Sequence, residues 1–310
     1  MSRLFGPRTL MQALAALLLS LALPCAAQQR IAVVTTTSDL RSLVEAVGGD
    51  RVAAANLAPP SIDVESYQPK PQDVLRLKSA RLFVRVGLDY DLWADRLLMQ
   101  VGRPEISRGG SSYVDASRGI AVLELRGMSV GPSDGHAHGS GNPHYWLDPE
   151  NAEIITATLL EALARIDPDH AADYETRRTA FVARLHEKLA AWQAALVPLK
   201  GMPIVAYHNS WPYFARRFRL DLLDFIETKP GVPPSPAHLA ELIQKMGGRD
   251  AKTVIREPYD PERDVAFLAR KTGAAIATLA ASVGALPEAG DYMALFDADV
   301  AALKSAAVPK

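Results

Sequence analysis

The chain has 310 residues, too many for one core of ~100–150 residues, so two packed units are expected. With 48% of residues apolar and 22% charged, it is composed like a soluble globular protein. Its formal net charge of −1 and lack of a strong basic block exclude electrostatic attachment to nucleic acid or to an anionic membrane.

Residues 1–27 read as a cleavable export signal. Arg3 and Arg8 give a positive start, and Ala13–Leu23 is an apolar run shorter than the roughly 20 residues of a membrane span. Cys25, Ala26 and Ala27 are the small residues that cleavage after Ala27 requires. Cys25 is the only cysteine; it could carry a lipid anchor, but Pro24 directly before it fits that pattern poorly. Once Cys25 has left with the signal, a metal site in the mature chain must use nitrogen and oxygen ligands.

The mature chain opens with Ile31-Ala32-Val33-Val34, a β-branched run that reads as a buried strand, and the Thr-Thr-Thr-Ser after it reads as a helix N-cap. A helix over 40–47 closes at Gly48-Gly49. A strand over 52–57 runs into Pro59-Pro60, then come a helix over 71–78 and a strand over 81–86. Apolar strands alternating with helices predict a parallel sheet wrapped by helices. From Gly127 to Pro143 the composition shifts to Gly, Ser, Asp and Pro with His136 and His138, which reads as a loop.

A long helix is expected over 169–196, because Tyr174, Phe181, Leu185, Leu189, Trp192 and Leu196 recur on one face. At ~1.5 Å per residue it is ~40 Å long, enough to run the length of two lobes. The βα pattern then restarts: strands over 203–207, 220–226, 253–256 and 275–279, helices over 211–217, 236–246, 261–272 and 291–306. The expected fold is α/β: two lobes with mostly parallel sheets joined by one long backbone helix, with the site in the cleft between them. The expected divisions are a signal over 1–27, an N-terminal lobe over 28–168, the connecting helix over 169–197 and a C-terminal lobe over 198–310.

His208 follows the apolar strand Ile204-Val205-Ala206-Tyr207, and Glu257 follows Val254-Ile255-Arg256, so both sit at carboxyl ends of strands. His144 lies just after the Gly-rich loop, and Glu65 lies after the second strand. Two imidazoles and carboxylates converging from four loops would suit a borderline-soft divalent cation. Taken singly, each has an ordinary explanation: a strand-end histidine with one hydrogen bond, or a solvated or capping carboxylate. His170, His186 and His238 read as surface residues, while His136 and His138 are either auxiliary metal binders or a solvated loop.

Four segments together resemble the metal-specific substrate-binding proteins of ABC importers, the zinc and manganese branch called cluster A-I. They are Asp63-Val64-Glu65-Ser66-Tyr67-Gln68-Pro69-Lys70-Pro71, His144-Tyr145-Trp146-Leu147-Asp148-Pro149, His208-Asn209-Ser210-Trp211-Pro212-Tyr213-Phe214, and Arg256-Glu257-Pro258-Tyr259 with Thr272-Gly273-Ala274. The resemblance implies two lobes joined by a helix, a metal held between them, and delivery to a membrane permease. His144 and His208 match the family's second and third ligands. Glu65 stands where the family's first ligand is a histidine, and Ala280 stands nearest the family's fourth ligand, an aspartate. The expected ligands are therefore Glu65, His144, His208 and Glu257, with a water or no ligand as the alternatives in fourth place.

Gly135-His136-Ala137-His138 resembles a short form of the His-rich loop of the zinc members, so Zn²⁺ is expected in preference to Mn²⁺. The expected protein is a periplasmic monomer with no enzymatic activity and no nucleic-acid partner. The alternatives are a metallochaperone or adhesin on the same fold and, with less support, a zinc-dependent hydrolase, for which no HExxH helix or nucleophile elbow is present.

Overall fold

The computed structural model describes residues 30–124, 141–229 and 231–307. The expected signal with Cys25, and His136 and His138, lie outside the described residues. The described residues from Ile31 onward form one compact unit.

Its first sheet is built from β1 (Ile31–Thr35), β2 (Val52–Asn56), β3 (Leu82–Arg85) and β4 (Tyr113–Asp115), in the order β2-β1-β3-β4. All pairs are parallel: Ile31 lies opposite Val52, Val33 opposite Leu82, and Phe83 opposite Tyr113. Parallel strands need crossovers, and α1 (Ser38–Gly48), α2 (Pro71–Ser79) and α3 (Trp93–Val101) supply them. The Thr37 side chain caps α1 by accepting from the Leu40 N–H at 3.3 Å. Gly49, at φ 57°, releases the chain from the helix into β2.

The second sheet repeats the plan with β5 (Pro203–Ala206), β6 (Asp221–Phe225), β7 (Thr253–Arg256) and β8 (Ala275–Thr278), again all parallel, in the order β6-β5-β7-β8. Two helices lead to it: α4 (Asn151–Ile166) and the long α5 (Ala171–Leu196). After these come α6 (Pro212–Phe218), α7 (Pro236–Arg249), α8 (Glu262–Thr272) and α9 (Tyr292–Ala307). In each sheet the order reverses beside the central strand, β1 or β5. Loops leaving the carboxyl ends there diverge and open a crevice.

The long helix buries Tyr174, Leu185, Leu189, Trp192 and Leu196, the stripe that its spacing predicts. Its two ends grip different parts of the chain. Arg51 pairs with Asp173 at 2.8 Å near the start, while Trp192 Nε1 and Lys188 Nζ both donate to Asp297 of α9 near the end. Three elements are absent from the sequence reading: α3, β4 and α4. The α4 stripe Ile155, Leu159 and Leu163 has clear helical spacing. By contrast, β4 has only three residues and takes its strand form from pairing with β3.

The apolar core does not stop between the sheets. One cluster joins Val33 and Phe83 to Tyr145, Trp146, Phe214 and Phe296, and a smaller one around Val205, Leu242 and Leu268 lies against the second sheet. Polar ties cross the same boundary: Asp39 Oδ1 accepts the Val283 N–H at 2.8 Å, and Ser42 Oγ accepts the Tyr292 N–H at 3.0 Å. Wide separation of the lobes would expose this shared core.

Asp39 has no exposed surface, and burial raises its pKa from 3.8 to about 7 against the hydrogen bond from Val283. A carboxyl that binds its proton more tightly when folded adds stability below about pH 4 and loses that stability as pH rises through about 7. A rise of about 3 units corresponds to roughly 4 kcal/mol across that window. Asp39→Asn should therefore flatten the decline in unfolding free energy between pH 4 and 7, as measured by urea melts. An unchanged slope would contradict the assignment.

Candidate metal centre

Three segments carry the site, and each is fixed by apolar neighbours. Beyond β2 the ladder continues briefly, with the Leu57 N–H donating to Thr35 O at 2.9 Å. Asp63 Oδ1 then accepts the Glu65 N–H at 2.9 Å and bends the chain. Val64 enters the core, and its carbonyl accepts from Trp93 Nε1 at 3.0 Å, which turns the Glu65 side chain into the cavity, where it is 2% exposed.

His144 precedes a turn, Tyr145–Leu147, whose side chains are all buried. The Tyr145 hydroxyl donates to Val86 O at 2.7 Å, and Trp146 Nε1 donates to Ala281 O at 2.8 Å, so this histidine stands on two aromatic anchors. His208 follows β5 after one residue, Tyr207, whose N–H donates to Ile255 O at 2.8 Å and keeps the strand direction.

These segments bring three of the four expected ligands together. Glu65 Oε1 lies 3.6 Å from His144 Nε2 and 3.8 Å from His208 Nε2, and the three ligand atoms all lie within 4.8 Å of one another. In a tetrahedral zinc centre with bonds of ~2.1 Å, neighbouring ligand atoms are ~3.4 Å apart. Small side-chain movements close the difference. Each imidazole has its other nitrogen engaged: His208 Nδ1 at 2.7 Å from Glu227 Oε2, His144 Nδ1 at 3.2 Å from Asn142 Oδ1. Both Nε2 atoms thus face the common point.

Glu257 is 1% exposed and lines the same cavity of about 510 Å³, but it is not within that close group. The Tyr259 hydroxyl donates to its Oε2, and Asp260 Oδ2 accepts its backbone N–H at 2.7 Å. Its Oε1 is buried and accepts no hydrogen bond from the described residues. Ala280, at the position of the family's aspartate, donates its N–H to Asp299 Oδ1 at 2.7 Å and has no donor atom to offer the cavity.

The electrostatics of the cavity favour a cation. Burial, then the charge of Glu65, raises Asp63. Burial, then Glu257, raises Asp260 to about 8. Burial raises Glu257, with the positive charge of His208 the main opposing influence. Burial alone would lower His208; hydrogen bonds to Glu227 and Glu65 more than offset it and hold this imidazole well above its usual pKa. Burial of these crowded carboxylates favours their proton-bound forms, and a divalent ion would supply opposing positive charge.

The other described histidines sit elsewhere: His170 Nδ1 pairs with Asp167 at 2.9 Å, His186 with Glu153, and His238 Nε2 with Phe225 O at 2.8 Å. Glu227 and Tyr90 are among the residues of the site absent from the sequence reading. Glu227 follows β6 by the same strand-end pattern that marks His208 and Glu257, so its signal was present. Tyr90 packs edge-on against His144 and Trp146, with centroids 5.2 and 5.1 Å away. The turn before it holds Gly87, Leu88 and Asp89 all at positive φ, clamped by the buried Arg85–Asp91 pair at 2.8 Å. No local pattern announces that turn.

The sequence pattern of the family described as zinc-uptake complex component A, periplasmic (ZnuA), matches residues 33–306. The high-affinity zinc uptake system protein ZnuA of Brucella abortus is 24% identical over 76% of this chain and 79% of its own length. The manganese ABC transporter substrate-binding lipoprotein PsaA of Streptococcus pneumoniae is 24% identical over 76% of this chain and 74% of its own. Among solved structures, a crystal structure of ZnuA superposes with a TM-score of 0.76 at 26% identity, covering 90% of this chain and 99% of that one. The cadmium-bound periplasmic metal-binding protein of Candidatus Liberibacter asiaticus, 19% identical with a TM-score of 0.74, shares the fold. With its two parallel sheets, its long helix and nearly its whole length inside this pattern, the chain belongs to the ZnuA family.

Proposed function

We propose that the protein captures one zinc ion in the periplasm, holds it with Glu65, His144 and His208, and hands it to the permease of an ABC importer. The observation that carries this reading is the convergence of three ligand atoms, from three separate loops, within 4.8 Å. Members of the family are substrate-binding proteins of such importers, so the chain is a binding protein and not an enzyme.

Zinc is favoured over manganese by the donor set. Two imidazoles and a carboxylate make a centre of low coordination number, whereas manganese wants more oxygens. Zinc is the cargo named for the Brucella relative and manganese for the pneumococcal one. Glu257 takes fourth place: its buried Oε1 faces the same cavity, and with Glu65 it would cancel the charge of a divalent ion. A cleaved signal over 1–27, lobes over 28–168 and 198–310 about the helix 169–197, and a monomer without nucleic-acid contacts complete the reading. No described helix is long and apolar enough to cross a membrane.

Titrating mature, chelator-stripped protein with zinc in a calorimeter should give about one ion per chain. His208→Ala should weaken binding by more than the ~10–100-fold typical of losing a residue behind the ligands. A stripped protein that releases no heat with zinc would overturn the function. Replacing His136 and His138 should have mild effects by the same measurement; a loss as large as that of His208→Ala would make them primary ligands. Glu257→Ala should lower zinc affinity at least ~10-fold. Unchanged affinity would leave the fourth place to water.

A further inference from the structure

We infer that Asn142, which is not itself a ligand, is the positioning residue that sets both the tautomer of His144 and its approach to His208. The inference rests on the zinc-binding reading and adds a residue to it. Asn142 is 4% exposed, and both ends of its amide are fully used. Its Oδ1 accepts the backbone N–H of His144 at 3.0 Å and faces His144 Nδ1 at 3.2 Å. Its Nδ2 donates to Glu124 Oε2 at 3.1 Å and to the backbone carbonyl of Asn209 at 3.0 Å.

These partners fix which way round the amide lies. Turning it over would set an NH₂ group against the His144 N–H, donor on donor, and its oxygen against a carboxylate and a carbonyl, acceptor on acceptor. With Oδ1 facing the ring, Nδ1 must carry the imidazole proton. In the neutral imidazole Nε2 then keeps its lone pair on the side of Glu65 Oε1, as metal binding requires.

The second function of Asn142 lies across the cleft. Asn209 directly follows His208, and its side chain also donates to Glu124 Oε2, at 2.9 Å. Glu124, Asn142 and Asn209 thus form a knot that ties the segment carrying one imidazole to the segment carrying the other. Asn142 is held in place in turn: its N–H donates to Leu123 O at 2.9 Å, and its carbonyl accepts from the Tyr213 hydroxyl at 2.9 Å. The same hydroxyl accepts the Leu123 N–H at 2.9 Å, so the knot is closed on both sides. His144 and His208, with ring centroids 5.4 Å apart, are therefore spaced before any ion arrives.

The test reads the tautomer and the affinity separately. In metal-free protein labelled with ¹⁵N-histidine, long-range proton–nitrogen NMR should find His144 protonated on Nδ1, and Asn142→Ala should give a mixture of tautomers. Zinc affinity of Asn142→Ala should fall about 10–100-fold. Asn142→Asp keeps the acceptor for His144 but turns the donor into a repelling oxygen; adding Glu124→Gln restores a donor at that contact. The double variant should bind zinc more tightly than Asn142→Asp alone, a rescue that decides the matter even if Asn142→Ala fails to fold. Wild-type zinc affinity in Asn142→Ala, a neutral His144 protonated on Nε2 alone in the wild type, or no rescue in the pair would overturn the inference. A wild type that ignores zinc while His144 is protonated on Nδ1 would sink the function and leave the tautomer assignment standing.

Discussion

Glu65 Oε1 stands 3.6 Å from His144 Nε2 and 3.8 Å from His208 Nε2, and nothing local in the chain brings these atoms together. Each sits at the end of a different segment, and the carboxylates around them add negative charge to a largely buried site. Asp63, Glu257 and Asp260 all bind protons more tightly than usual there, and His208 does so as well. Burial thus pushes the three carboxyl groups toward their proton-bound forms. A divalent cation supplies opposing positive charge directly, and this charge requirement accounts for the donor set.

The fold meets the requirement by placing strand ends, rather than helix faces, around the cavity. Strand ends are precise because the ladder fixes them: His208 follows β5, Glu227 follows β6 and Glu257 follows β7. The histidine from the other side has no strand beneath it, and Tyr145 and Trp146 anchor it to Val86 and Ala281 instead. The shared apolar core and the ties from Asp39 and Ser42 hold the two lobes in register.

Much of this architecture is legible in the sequence because strong periodicity and clear breakers coincide. The run Ile31-Ala32-Val33-Val34 and the stripe from Tyr174 to Leu196 mark their elements unaided, and β7 spans the residues expected of it. Strand β4 is hidden because three residues carry no period, and α4 shows that a legible stripe can still go unread. At the site, the strand-end pattern leads to His208 and Glu257 at the cavity, and it applies equally to Glu227. Glu65 and His144 enter through the resemblance as much as through their position. Asn142 and Tyr90 are different in kind. Their roles depend on a hydrogen bond across the cleft and on a strained turn, and neither leaves a trace in spacing or composition.

The most direct test of the central claim is a crystal structure of the zinc-loaded mature protein, with data collected on both sides of the zinc absorption edge. The account predicts one strong anomalous peak, bonded to Nε2 of His144, Nε2 of His208 and a carboxylate oxygen of Glu65 at ~2.0–2.2 Å. A peak elsewhere, or one whose ligands exclude either histidine, would contradict it.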